Sequence, residues 1–190
     1  DKAIAEKMPA VAITDHGALY GAFKFFVKAQ EKGIKPIIGV ETYKAKNSRL
    51  DKKAGVDRDQ YHLVLLAKNL TGYQNLLKIV TNAFLEGFYY KPRIDFEVLE
   101  KYHEGIIALS ACLNGEIPAL ILENQTKQAE IILQKYLDIF NQMIKPNSTI
   151  LDIGCGNGIP VDKYLSDNGH SIIGIDISEK QIELAKKNFP

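Results

Sequence analysis

Four side chains that bind borderline-soft cations stand out in this sequence: His16, Glu41, His62 and Cys112. Imidazole nitrogen, carboxylate oxygen and thiolate sulfur together suit zinc, manganese or iron. They lie in separate apolar segments, so they meet only if the fold gathers strand ends; each also has a plainer reading as a buried polar or core residue. His16, for instance, fits a hydrogen-bonded histidine in a strand-to-helix loop equally well. A second set lies near the carboxyl end, in Asp152-Ile-Gly154-Cys155-Gly156-Asn157-Gly158, followed by Asp176. Glycines let a backbone approach a ligand closely, and a helix start supplies amide donors. The spacing is Gly-x-Gly-x-Gly, whereas dinucleotide sites use Gly-x-Gly-x-x-Gly, and Asp152 would repel a pyrophosphate. The pattern therefore points to a nucleoside-type cofactor without phosphates, with Asp176 accepting from its ribose hydroxyls. The plainer reading of this stretch is a glycine-rich turn between strand and helix.

The elements that must position these groups follow from hydrophobic periodicity. An apolar run over Met8–Thr14 predicts a buried strand that delivers Asp15 and His16 at its carboxyl end, where α/β folds carry their chemistry. Leu19, Ala22, Phe23, Phe26 and Val27 recur at helical spacing, and Gly33 caps that helix. Lys35–Val40 predicts a second strand, which brings Glu41 to the same edge through a right-handed βαβ connection. Residues 47–60 are polar and aperiodic and predict an exposed loop. Tyr61–Ala67 predicts another strand. His62 stands near its start, so the strand-end argument places it less well than the others. Helices are expected from Thr71 and over Phe96–His103, and a strand over Ile106–Ser110 leads to Cys112. Lys91 and Arg93 flank Pro92 in a stretch that reads as a solvated basic turn. Helices over Gly115–Leu122 and Thr126–Phe140 close this part. The grammar then restarts with a strand at Thr149–Ile153, the glycine loop, a helix at Pro160–Asn168, a strand at Ser171–Ile177 and a capped helix at Ser178–Asn188.

The totals limit the function classes. A formal charge of +1 over 190 residues supplies no global field to attract nucleic acid. Two cysteines, each inside a motif, predict a reduced intracellular protein without a bridge. No apolar run approaches the roughly 20 residues that a membrane span needs, so no membrane partner is expected and the cytoplasm is the expected location. The chain opens at Asp1 inside what reads as a helix, and is expected to be a fragment.

Residues 8–43, 61–93 (His-Leu-Val-Leu-Leu-Ala-Lys-Asn through Glu-Gly-Phe-Tyr-Tyr-Lys-Pro-Arg) and 108–118 (Ala-Leu-Ser-Ala-Cys-Leu-Asn-Gly-Glu-Ile-Pro) together resemble the polymerase-and-histidinol-phosphatase (PHP) domain carried by bacterial DNA polymerase III alpha subunits. The resemblance covers about residues 1–140. It implies a seven-stranded α/β barrel whose His, Asp, Glu and Cys ligands hold up to three metal ions against a phosphate ester. It matches His16, Glu41, His62 and Cys112 to ligands, leaves Asp15 behind His16 to orient its ring, and implies DNA and replisome subunits as partners of the whole polymerase. The family's first strand, with its His-x-His pair, and its late Asp-x-His have no counterpart here, so weak metal binding is expected. Ile150–Gly158 resembles the cofactor loop of class I S-adenosylmethionine-dependent methyltransferases, which implies Asp152 near the methionine ammonium and Asp176 on the ribose. The expected architecture is therefore α/β, a partial PHP-type barrel over residues 1–140 followed by a partial Rossmann-like βαβα unit over 141–190. Two other organisations fit the residues: a methyltransferase piece preceded by a noncatalytic α/β partner, and a scaffold without activity.

Overall fold

The computed structural model describes residues 1–189. Its elements, in order, are α1 (Lys2–Ala5), β1 (Ala10–His16), α2 (Ala22–Glu31), β2 (Lys35–Ala45), β3 (Gln60–Ala67), α3 (Leu70–Leu85), β4 (Arg93–Ile94), α4 (Phe96–Tyr102), β5 (Ile106–Leu109) and α5 (Glu116–Leu122). They continue as α6 (Thr126–Met143), β6 (Thr149–Ile153), α7 (Val161–Asp167), β7 (Ser171–Ile175) and α8 (Glu179–Asn188). The chain divides into two compact units, Asp1–Ala129 and Glu130–Pro190.

In the first unit the sheet runs β1-β2-β3-β5, with β4 added to β2. β1 and β2 are parallel, joined through α2 as the apolar runs required. β3 is antiparallel to both β2 and β5, so the amino end of β3 lies at the same edge as the carboxyl ends of β1, β2 and β5. The pairing sets one face of the sheet as core, because Val40 and Leu65 are paired across strands and completely buried. α3 packs on the sheet through Leu76, Ile79 and Ala83, spaced by three and four residues. Its start is capped by Asn69, whose Oδ1 accepts the Gly72 amide at 2.9 Å. α2 turns small residues inward, Ala22 and Ala29 seven apart, and leaves Phe23 78% exposed. The expected apolar stripe is thus rotated, since Ala22 and Ala29 lie two turns apart on one line and Phe23 lies about 100° around the helix from Ala22.

Residues 46–59 are not a free loop. Arg93, 1% exposed, donates from Nε to Gly87 O (3.1 Å), from Nη1 to Asp57 O (2.8 Å) and from Nη2 to Arg49 O (3.0 Å) and Asp51 O (2.6 Å). The expectation of a solvated basic turn is corrected for Arg93: β4 pairs with β2, which directs the guanidinium inward to gather four carbonyls. Burial pulls its pKa below the ordinary guanidinium value. Arg49 forks onto Glu86, Asp95 and Glu97, and its hydrogen bond with Glu97 does most to raise its pKa. Lys91 alone matches the solvated reading, with its ammonium 5.3 Å from the centre of the Tyr43 ring.

The second unit is built on a parallel β6–β7 pair. Within it, the Ser148 amide donates to His170 Nδ1 at 3.2 Å, which fixes the tautomer so that Nε2–H donates to Asn141 Oδ1 at 2.9 Å. Among the described residues, no helix is long and apolar enough to cross a membrane.

Candidate functional site

Strand pairing decides which side chains meet. His16 pairs with Glu41, Glu41 with Val64, and Tyr43 with His62, and paired residues point to the same face. That face lies opposite the Val40–Leu65 core. Gly17 ends β1 with φ +65° and extends the ladder by donating to Glu41 O at 2.8 Å; a Cβ there would press on Pro92 and Tyr43 at 2.9 Å. Tyr43 can therefore lie against both histidine rings, 6.2 Å from His16 and 5.6 Å from His62 between centres.

Glu41, His62 and Cys112 converge, with one potential ligand atom from each lying within 4.8 Å of the others. His62 Nδ1 is 2.7 Å from Glu41 Oε1 and 3.9 Å from Cys112 Sγ. His16 stands at the rim, its side chain 61% exposed and Nε2 3.7 Å from Glu41 Oε2. The ranking of His62 as the least well placed is corrected: its strand is antiparallel, so a residue near its start reaches the edge where the neighbouring strands end. Cys112 follows β5 in a tight turn, in which the Gly115 amide donates to Cys112 O at 2.8 Å. The turn docks on β3 when the His62 amide donates to Asn114 O at 2.9 Å, while the Asn114 amide points at Cys112 Sγ from 3.4 Å. A cavity of about 290 Å³ opens beside them, lined by Glu41, Val64, Leu109, Ser110, Ala111 and Cys112.

Asp15 has a different task from the one expected. Strand alternation sends it to the face opposite His16, where Oδ2 accepts the Gly21 amide at 2.8 Å. It therefore secures the turn into α2 instead of orienting the His16 ring.

The donor set fits a borderline cation on its chemistry. Metal bonds of about 2.0–2.3 Å place tetrahedral ligand atoms roughly 3–4 Å apart, near the separations seen here. Imidazole, carboxylate and thiol also come from three elements fixed by the sheet, so bringing them together requires no change of fold.

In the second unit the loop glycines Gly154, Gly156 and Gly158 have φ of +87°, +57° and +77°, a region costly for other residues. The Gly154 and Cys155 amides donate to Ile175 O at 2.7 and 3.1 Å, folding the loop onto the end of β7. Asp176 accepts from Ser178 N (2.8 Å) and Gly156 N (2.9 Å), and these two amides hold its pKa below the usual carboxylate range. Asp162, which the sequence did not single out, is 5% exposed on α7. Burial, and after it the adjoining Asp152 carboxylate, pushes its pKa up to about 6. One of its oxygens, Oδ1, has no hydrogen-bond partner. Cys155 is likewise raised, first by burial and then by Asp162, Asp152 and Asp176. The one sequence signal for Asp162 was its place on the same helical face as Leu165.

Residues 1–146 match the family model described as "PHP domain". The chain belongs to the PHP domain family. Residues 150–190 match the model described as "Methyltransferase domain". Among curated relatives, the DNA polymerase III subunit alpha of Thermus aquaticus is 53% identical over 134 residues, covering 70% of this chain and 11% of that protein. The same subunit of Borreliella burgdorferi is 55% identical over 124 residues, covering 65% and 11%. That of Aquifex aeolicus is 48% identical over 185 residues, covering 94% and 14%. This PHP chain therefore spans between 11% and 14% of the length of these relatives. The Aquifex match covers enough of the chain to enter the methyltransferase segment, so two similarities compete for residues beyond 150.

Proposed function

We propose that this chain carries the PHP domain of a bacterial DNA polymerase III alpha subunit and that Glu41, His62 and Cys112, with His16 at the rim, hold a divalent cation, zinc, manganese or iron. The observation that carries the reading is the convergence of carboxylate, imidazole and thiol within 4.8 Å on one sheet face. When bound, the cation would supply a Lewis acid and an activated water for attack on a phosphate ester. The chain's own residues supply the rest. Glu41 and His62 orient each other through their 2.7 Å contact, and the adjoining cavity has room for a phosphate group. The finer fold reading is a PHP-type barrel to which the five strands contribute a part, with the domain over residues 1–140. DNA and other replisome subunits are then partners of the whole polymerase in the cytoplasm. Nucleotidyl transfer is assigned to its other regions, and no incorporation into a primed template is expected from this chain.

Metal analysis of the purified chain tests the site. One equivalent of cation or less is expected, lost in the Glu41→Ala/His62→Ala/Cys112→Ala variant. Stoichiometric metal that survives in the triple variant would sink the assignment.

For residues 141–190 we propose the amino-terminal part of an S-adenosylmethionine-binding fold. The positive-φ glycine loop followed by Asp176 favours this over a continuation of the polymerase similarity. Asp152 would face the methionine ammonium, Gly154, Gly156 and Gly158 would line the cofactor, and Asp176 would exchange its amide donors for ribose hydroxyls. Calorimetry with S-adenosylmethionine tests this, and weak binding abolished by Asp176→Ala is expected. Tight binding unaffected by that change would refute it.

A further inference from the structure

We infer that the buried Lys44–Glu116 ion pair sets where Cys112 stands relative to Glu41 and His62, making both partners positioning residues for the proposed cation site. The inference rests on the metal reading above. Lys44 Nζ meets Glu116 Oε1 at 2.9 Å, with side chains 1% and 5% exposed. The ammonium also lies 4.3 Å from the centre of the Phe96 ring. A pair this deeply desolvated is a poor way to gain stability, since apolar residues of the same volume commonly do as well. The best-attested use of such a pair is to fix a register, because a buried charge tolerates only one placement of its partner.

The register at stake is that of the Cys112 turn. Lys44 belongs to β2, the strand that carries Glu41, and Glu116 opens α5 directly after Gly115. The turn from Cys112 to Gly115 is anchored to β3 by the His62 amide on Asn114 O and closed on itself by the Gly115 amide on Cys112 O. A Cβ on Gly115 would run into the Ser110 carbonyl, so the turn has no slack. Glu116 adds the tie to β2. Cys112, in the turn after β5, and Glu41, on β2, are otherwise separated by β3, and the ion pair joins their supports directly. Without it, the buried charge that remains has lost its ionic partner, which draws the start of α5 towards water and carries the Cys112 thiol away from Glu41 and His62.

The test is a cobalt titration of the whole chain, in which the near-ultraviolet thiolate-to-cobalt charge-transfer band reports Cys112 and the visible band reports coordination in general. Lys44→Met keeps the stem and removes the ammonium; Glu116→Gln keeps an oxygen acceptor and removes the charge. Each is expected to bind cobalt about 10-fold more weakly or worse, the scale for groups that orient metal ligands, and to lose the thiolate band while keeping its circular dichroism. If the pair is purely stabilising, its loss lowers the urea midpoint and leaves the band of the folded protein unchanged, which overturns the inference. One folded variant is enough to decide. If the wild-type chain binds no cobalt, the metal reading itself fails and takes this inference with it. Equal binding and equal bands in wild type and variant sink the inference alone.

Discussion

Replacing Arg93 by alanine removes one of the two arginines, with Arg49, that tie the 46–59 segment to the rest of the first unit. Two of its hydrogen bonds, to Gly87 O and Arg49 O, are buried, and two, to Asp57 O and Asp51 O, are partly so. Charge-assisted bonds contribute about 1.5–3 kcal/mol each, so the buried pair accounts for roughly 3–6 kcal/mol. Water can replace part of the other two, because Asp51 is exposed and Asp57 only half-buried. Gly87 O also keeps a long contact from the Arg93 amide at 3.4 Å, which holds the total toward the lower part of that range. We expect about 4 kcal/mol, a large share of the roughly 5–15 kcal/mol that holds a domain folded. Arg93→Lys should recover less than half, since an ammonium cannot reproduce the guanidinium fork. With no tryptophan in the chain, urea unfolding is followed by far-ultraviolet circular dichroism, and amide exchange is measured over residues 46–59. The alanine variant should unfold at lower urea and exchange those amides much faster. A loss below about 1 kcal/mol, with unchanged exchange in the segment, would refute the view that buried carbonyl contacts hold it.

Three other outcomes follow from the same geometry. Asp162→Asn tests the buried carboxyl: in the folded state Asp162 binds its proton up to about pH 6 against an ordinary 3.8. The folded chain thus holds more protons than the unfolded one across that window, and this part of its stability is present at the acidic end and lost as pH rises through it. Urea midpoints should fall from pH 4 to pH 7 more steeply in wild type than in Asp162→Asn, and equal slopes would remove Asp162 from the account. Gly156→Ala should cost about 1–2 kcal/mol of unit stability from its positive φ, because a Cβ there meets no atom within 4 Å; a neutral substitution in urea melts would contradict this. Asp15→Asn should lower the unfolding free energy read from urea melts by about 1 kcal/mol through the weakened bond to the Gly21 amide, and leave cobalt binding at the Glu41 cluster unchanged. A loss of metal affinity would return Asp15 to the role of orienting His16.

The sequence by itself determined the elements and the donor types. Apolar runs and helical spacing located β1, α2 and β3 to within a few residues, because burial of alternate or every third and fourth residue is a local requirement; they found the start of β2 but not its end, which lies at Ala45 instead of Val40 and leaves Glu41 inside the strand. The glycine spacing after an apolar strand marked the loop that the structure folds with positive φ, although that strand is not buried, Leu151 being 56% exposed. Tertiary pairing decided what local pattern could not express. Whether a strand runs parallel or antiparallel leaves no mark on its own periodicity, so His62 looked misplaced until the antiparallel β2–β3 register set it opposite Tyr43 and beside Glu41. The same period-two alternation that placed His16 over the cluster sent Asp15 away from it, to Gly21. Arg93 looked like a solvent-facing cation until the short β4 pairing turned it inward, because three of the four carbonyls it gathers lie 36 to 44 positions away from it in the chain. Asp162 carries no motif at all. Its raised proton affinity arises from burial and from Asp152, ten positions earlier in sequence and adjacent only once β6 and α7 pack together.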